Sequence, residues 1–209
     1  MTNERGRPRA FDAEQALDSA LRVFWKQGYQ GAALSELTDA MGLSKPSLYA
    51  AFGDKEALYL KALERYATHY LAGPMQLLDT AASGREAVAA YLRAMARLFA
   101  DRSQPGGCFI ANGIADTEGA TTPLAVQEAL HGALRAAEQR MRQRIEQAAQ
   151  AGELGPDASP AELARLYLTV LTGLAVLAKS GESVEKLLGV VDAAMVAWPA
   201  LPAAGSRRR

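Results

Sequence analysis

The chain of 209 residues reads as all-α, with about nine helices. Three observations lead there. No segment alternates apolar and polar residues long enough to make a half-buried strand. Apolar residues recur three and four apart along most of the chain, the spacing that collects them on one helix face. Residues that start helices (Asp12, Ser44, Asp54, Ser159, Ser183) and glycines that stop them stand at the edges of those periodic stretches.

The elements follow in order. Asp12 caps a first helix, with Gln15 as its capping-box partner. Leu17, Leu21 and Phe24, flanked by Ala16, Ala20 and Trp25, form its apolar face, and Gly28 ends it. A short second helix holds Leu34, Leu37 and Met41 and breaks at Gly42. Ser44 caps a short third helix through about Phe52, where Gly53 stops it. Asp54 caps a long fourth helix through Leu58, Leu63, Tyr66 and Tyr70 to a break at Gly73-Pro74. The next runs from about Arg85 to Ala100, with Val88, Leu92, Met95 and Phe99 on one face. "DRSQPGG" is a loop, and a short apolar helix covers Phe109 to Ala115. Thr122-Pro123 opens a long helix to Gly152, with proline at its first position. "SPAE" at Ser159 to Glu162 is a capping box that opens a helix to about Gly181. Ser183 caps the last helix, which ends at Trp198-Pro199. Residues 201–209 have the composition of a disordered tail.

Composition narrows the function. Hydrophobic residues make up 49% and charged residues 22%, as in ordinary globular proteins. One cysteine, Cys108, excludes a disulfide framework and fits a reducing compartment. The polar, basic start MTNERGRPRAF lacks the apolar core of a signal peptide, and no uncharged apolar run reaches membrane length. A cytoplasmic protein with no membrane partner is expected. Catalysis is not: there are two histidines, His69 and His131, and no nucleophile elbow, zinc-binding HExxH, phosphate loop or dinucleotide fingerprint. No cofactor or metal is expected.

Net charge is zero, 23 basic against 23 acidic residues, so local charge matters more than the total. Arg5, Arg7 and Arg9 crowd an arm at residues 1–10, and from Ala40 to Gly53 the only charge is Lys45. Leu34 to Ala51 has the spacing of a helix-turn-helix: Leu34, Leu37 and Met41 face Leu43, Leu48 and Ala51 across a turn at Gly42. In that motif the second helix enters the DNA major groove. Ser44 leaves helix N–H groups toward phosphates, and Pro46 sits in the first turn where its missing N–H is not needed. Lys45, Ser47 and Tyr49 offer a charge and two hydroxyls, and the methyl of Ala50 can meet a thymine methyl. Asp54 followed by Lys55 makes a second helix start for a phosphate. So little charge implies modest affinity per chain, hence a dimer.

The basic arm, the capped helix with "FWKQGY" and the run "GLSKPSLYAAFGDKEAL", in this order, resemble the DNA-binding domain of the TetR family of bacterial transcriptional repressors over about residues 5–71. The resemblance implies an all-helical homodimer on a palindromic double-stranded operator. Lys45, Ser47, Tyr49 and Lys55 fall on positions the family commonly uses for DNA contact, and Arg5, Arg7 and Arg9 resemble its minor-groove arm. Two residues depart from the pattern. Ala33 stands where the family usually has a capping Thr or Ser, so Ser35 takes over that phosphate; Ala50 stands where many members have histidine. The implied division is a DNA-binding domain at 1–53 and an effector-binding and dimerisation domain at 54–200.

The end of the chain carries two apolar stripes that can be internal core or can pair with a second copy as a four-helix bundle. The interface is expected at Leu163, Tyr167, Val170 and Leu174 on one helix, and at Val184, Leu188, Val191 and Met195 on the next. The resemblance places an unidentified effector among Tyr66, Tyr70, Met95, Phe99, Cys108, Phe109, Asn112, His131 and Tyr167, an apolar and aromatic set that suits an apolar or aromatic ligand. Cys108 opens a short helix, a setting that lowers a thiol pKa. "GGCFIANG" is similar to the matching segment of TetR-type repressors that sense electrophiles through a cysteine. The expected function is a ligand-responsive repressor. The alternatives are an electrophile or redox sensor acting through Cys108, and a regulator with no small effector.

Overall fold

The computed structural model describes residues 12–117 and 121–199. Among them there are helices and connecting turns only: α1 Ala13–Gly31, α2 Leu34–Met41, α3 Lys45–Phe52, α4 Lys55–Tyr66, a π turn Ala67–Leu71, α5 Ala72–Thr80, α6 Gly84–Ala100, α7 Phe109–Ala115, α8 Leu124–Gln150, α9 Pro160–Lys179 and α10 Val184–Ala194, closed by a 3₁₀ turn Met195–Ala197. With α4, the π turn and α5 taken as one rod, the described residues hold nine rods, as the periodicity predicts. The arm carrying Arg5, Arg7 and Arg9 and the tail 201–209 lie outside the described residues.

Local chemistry sets the boundaries. Asp12 accepts from the N–H groups of Glu14 and Gln15, Ser44 from Ser47, Asp54 from Ala57, Ser83 from Glu86, Ser159 from Glu162 and Ser183 from Lys186. Each cap supplies an acceptor that the first helical turn lacks. Pro123 is itself the cap of α8, so the helix starts one position later than the sequence suggests.

Two boundaries differ from the sequence reading. Gly28 interrupts α1 rather than ending it: φ is 73°, and helical hydrogen bonding resumes to Gly31. The helix after Asp54 does not break at Gly73-Pro74 but runs on to Thr80. A helical proline loses one bond and presses its ring on the carbonyl four residues back, here Tyr70. The π turn at 67–71 widens the backbone at that place and lets the rod pass through.

One continuous core joins all layers. In its N-terminal part α1 lies across α2 and α4, and Ala16, Ala20, Leu21, Phe24 and Trp25 bury one face of α1. In its C-terminal part α6, α8, α9 and α10 pack on one another, with α7 wedged between α1 and α8. Rings bridge the two parts. Trp25 of α1 meets Tyr66 of α4 edge-on at 4.8 Å, Tyr66 meets Phe109 of α7 at 5.6 Å, and Phe109 meets Tyr59 of α4 at 5.1 Å. Arg65 braces α4 to α1 by ion pairs with Glu14 and Asp18. Arg22 of α1 donates to Gln104 (2.8 Å) and to the Ser103 carbonyl, tying the 101–107 loop down.

The sequence reading found no membrane-length apolar run, yet α9 has the length and mean hydropathy (1.5) of one. It packs against α6, α8 and α10 as a core helix, while Leu166, Val176 and Leu177 stay exposed.

Gly28 gives the first test. A Cβ there would lie 1.8 Å from Asp116 Oδ2, and its left-handed φ suits glycine alone. Gly28→Ala should lower unfolding free energy by about 1–2 kcal/mol from backbone strain. Urea denaturation reads this as a lower midpoint with unchanged slope.

Candidate nucleic-acid interface and apolar cavity

The helix-turn-helix is built as its sequence implies except at Ala51, which is exposed, the inward position being taken by Phe52. Gly42 adopts φ 65° and caps α2, with its N–H on the Asp39 and Thr38 carbonyls. Leu43 N–H bonds the Thr38 carbonyl at 3.0 Å, and buried Thr38 donates its own hydroxyl to the Ser35 carbonyl at 2.8 Å. These contacts fix the angle between α2 and α3. Leu48 and Phe52 anchor α3 from below.

That leaves the opposite face of α3 free. Ser44, Lys45, Pro46, Ser47, Tyr49 and Ala50 are all exposed, Tyr49 by 49% despite its ring. Ser44 and Ser47 hydroxyls bond each other at 2.8 Å at the helix start. Ser35 is exposed one residue into α2. Ala33 makes no side-chain cap; its N–H is taken by Glu36 at 3.1 Å. Lys55 is half-buried, its ammonium 4.7 Å above the Tyr29 ring, and burial lowers its pKa. The start of α4 is partly filled by its own Asp54 carboxylate, which accepts from Ala57 at 2.8 Å.

A separate apolar cavity of about 220 Å³ opens among α4–α5, α6, α7, α8 and α9. Of the residues named in advance, Met95, Phe99 and Cys108 line it. Tyr66 stands behind the wall, its hydroxyl donating to Cys108 Sγ at 3.6 Å. Tyr70 stacks on Tyr66 and donates to Gln104 at 3.3 Å, Phe109 packs in the ring cluster, and Asn112 donates to the Gly106 carbonyl at 3.3 Å. His131 faces outward on α8, and Tyr167 stacks with Trp198 at 6.2 Å. Five of these six serve packing and loops and His131 faces solvent, and the wall is made by others: Leu71, Met75, Tyr91, Ile110, Leu134, Leu171, Thr172 and seven alanines.

The cavity exists because side chains are small. On α8 the buried positions stop at Leu130 and resume at Met141, with Ala133, Ala136 and Ala137 on the wall between them. Ala67, which opens the π turn, and Ala72, which follows it, stand opposite, and Ala175 of α9 completes the recess. Alanine clusters are visible in the sequence; that three separate helices turn them to one place is not.

The interface residues also divide. Leu163, Tyr167, Leu174, Val191 and Met195 are buried within the single chain. Val170, Val184 and Leu188 are partly buried. Exposed apolar side chains on these elements are Leu166, Val176 and Leu177 of α9 and Val190 and Val196 near the end of the chain, Val176 by 65% and Val196 by 83%. Both helices of the expected interface thus keep apolar side chains exposed.

Known proteins agree with this architecture. Residues 16–62 match the family model for bacterial regulatory proteins of the tetR family, and residues 84–193 match the tetracyclin repressor-like C-terminal domain. The HTH-type transcriptional repressor ComR of Escherichia coli is 32% identical over 94% of this chain and 93% of its own. The HTH-type transcriptional repressor BdcR of the same organism is 30% identical over 87% and 86%. Among solved structures, a cysteine-substituted CifR, a TetR family regulator complexed with 26-bp operator DNA, is 42% identical with a TM-score of 0.86, covering 92% of this chain and 100% of that one.

Cys108 reverses one expectation. Burial raises its thiol pKa, and this outweighs the helix-start N–H groups of Ile110 and Ala111 and the Tyr66 hydroxyl, which pull it down. The unfolded thiol therefore ionises first as pH climbs, and stability is lost above the ordinary thiol range. Between pH 7 and pH 9.5, wild type should lose more unfolding free energy in urea melts than Cys108→Ala does. Native Cys108 should also alkylate with iodoacetamide on the order of tenfold more slowly than the urea-unfolded chain at pH 7.5 for each pKa unit raised.

Proposed function

Because this chain belongs to the TetR family of bacterial transcriptional regulators, we propose that it is a homodimeric repressor. It occupies a palindromic operator and leaves it when a small apolar or aromatic effector fills the cavity. Residues 1–53 bind DNA, 54–200 hold the effector and the partner copy, and the protein works in the cytoplasm beside its operator. The structure of CifR on a 26-bp operator duplex supports the DNA half of this reading. So does the exposed face of α3, where Lys45, Ser47, Tyr49 and Ala50 present one charge, two hydroxyls and a methyl.

One observation carries the effector half. The rod that starts directly after α3 has its π turn in the cavity wall, through Ala67, Leu71 and Ala72. From Lys55 to Leu71 is roughly 25 Å at helical rise. A π turn is a rare insertion in a helix, frequent at functional sites, and this one buries none of its five residues. A ligand that prefers one setting of this turn shifts the rod, and with it α3. The coupling is reciprocal, so operator and effector weaken each other's binding.

The dimer rests on the exposed face of α9 and α10. A patch with Val176, Leu177 and Val190 at its surface is what a second copy buries in an isologous two-fold contact. Two α3 helices would then address half-sites about 34–36 Å apart. A second reading keeps the operator but makes the effector an electrophile added to Cys108. It is favoured by the position of the thiol on the cavity wall. Addition to an activated alkene would form a C–S bond, with the thiol proton ending on the adjacent carbon.

Fluorescence anisotropy on inverted-repeat duplexes tests the main reading. Lys45→Ala should weaken binding to all sequences and reduce the salt slope by about one. Cavity ligands should lower operator affinity; unchanged affinity at saturation rejects the rod mechanism. N-ethylmaleimide releasing DNA from wild type but not from Cys108→Ser would favour the electrophile reading. For the dimer, Val176→Glu should sediment as a folded monomer, since a carboxylate cannot be buried unpaired in an apolar contact.

A further inference from the structure

The cavity wall is apolar apart from three residues, Tyr91, Cys108 and Thr172. Two of these are already engaged. Thr172 donates to the Thr169 carbonyl at 2.9 Å. Cys108 accepts from the Tyr66 hydroxyl at 3.6 Å, and a thiol is in any case a weak donor.

Tyr91 is different. It sits in the middle of α6, only 2% exposed, and its hydroxyl has no hydrogen-bond partner among the described residues. Two other buried tyrosines, Tyr59 and Tyr167, also have partnerless hydroxyls, but those oxygens are sealed off by packing. The Tyr91 oxygen is not among the sealed atoms, so it borders open space, and the cavity is the space Tyr91 lines. Buried polar groups are nearly always satisfied, and an unsatisfied one beside a void calls for a partner that enters the void.

We propose that Tyr91 is the specificity-determining residue of the cavity, donating a hydrogen bond to the single acceptor oxygen of an uncharged, otherwise apolar effector such as a ketone, aldehyde or ester. This rests on the ligand-responsive reading above and narrows it from an apolar molecule to an oxygen-bearing one. Two further observations fix the class. Among the described residues no Arg, Lys, His, Asp or Glu lines the wall, so a charged ligand would lose its hydration without a counter-charge. Burial and the neighbouring Cys108 push the Tyr91 phenol above its ordinary range, so it keeps its proton and acts as a donor at physiological pH. Size sets the rest: about 220 Å³ exceeds the ~150 Å³ cavity that takes one benzene ring, leaving room for a ring with a short substituent.

The test uses matched probes on the full-length protein. Acetophenone and α-methylstyrene share a shape and differ in a carbonyl oxygen against a methylene; benzoate adds a charge. Dissociation constants are read by calorimetry. Wild type should bind acetophenone about five- to tenfold more tightly than α-methylstyrene, the worth of one net hydrogen bond, and benzoate weakest. Tyr91→Phe removes one oxygen and keeps the ring. It should abolish the preference for acetophenone and leave α-methylstyrene unchanged, a ratio that a packing role would not move. A preference that survives in Tyr91→Phe overturns the proposal, as does equal binding of the two probes by wild type, while both results leave a ligand-binding cavity standing. Failure of all probes to bind wild type overturns the proposal together with the effector reading beneath it.

Discussion

The burial of rings where α1, α4 and α7 meet is the contact on which the rest of the molecule depends. Phe24, Trp25, Tyr59, Tyr66 and Phe109 come from three helices and form one cluster. Each such ring hides ~150–250 Å² from water, a gross gain of at most about 4–6 kcal/mol at the usual coefficient. The exposed ion pairs across the molecule are each worth about 1 kcal/mol or less. The rings therefore decide how the helix-turn-helix sits on the rest of the chain. They also place Cys108, which the Tyr66 hydroxyl touches, at the boundary between ring cluster and cavity.

Charge is sparse on the face proposed to meet nucleic acid. On α3 only Lys45 is charged, and Lys55 beyond it is partly committed to Tyr29. Phosphate contacts dominate affinity for duplex DNA, so such a face holds a duplex firmly only when two copies act together. The exposed apolar patch on α9 and α10 fits that requirement. The economy of charge at one end and the surplus of apolar surface at the other belong to the same design.

The cavity is made by subtraction. A 27-residue helix, α8, would pack continuously if its middle carried leucines, and instead presents alanines to the rod and to α9. Because empty space costs packing energy, a void kept open beside a π turn is a place where binding can do conformational work. The proline at 74 and the π turn before it belong to the same arrangement, since the turn that accommodates the proline is also the part of the rod facing the void.

Much of this was legible in the sequence alone. Periodicity and caps determined the helices, and the order of capped helix, Gly42 turn and Ser44-capped helix determined that α3 leaves Lys45, Ser47 and Tyr49 exposed on one side, because helix starts and tight turns are encoded by neighbours in the chain. The cavity and the apolar face were decided only by the tertiary structure. Tyr66 and Tyr167 look like ligand residues but are consumed by packing, and Tyr91 looks like core but borders the void. Leu174 looks like interface but is internal, and Val176, two residues on, is outside. A helical stripe says which residues share a face; which way that face turns is set by what packs against it from hundreds of atoms away along the chain, and no local spacing records that.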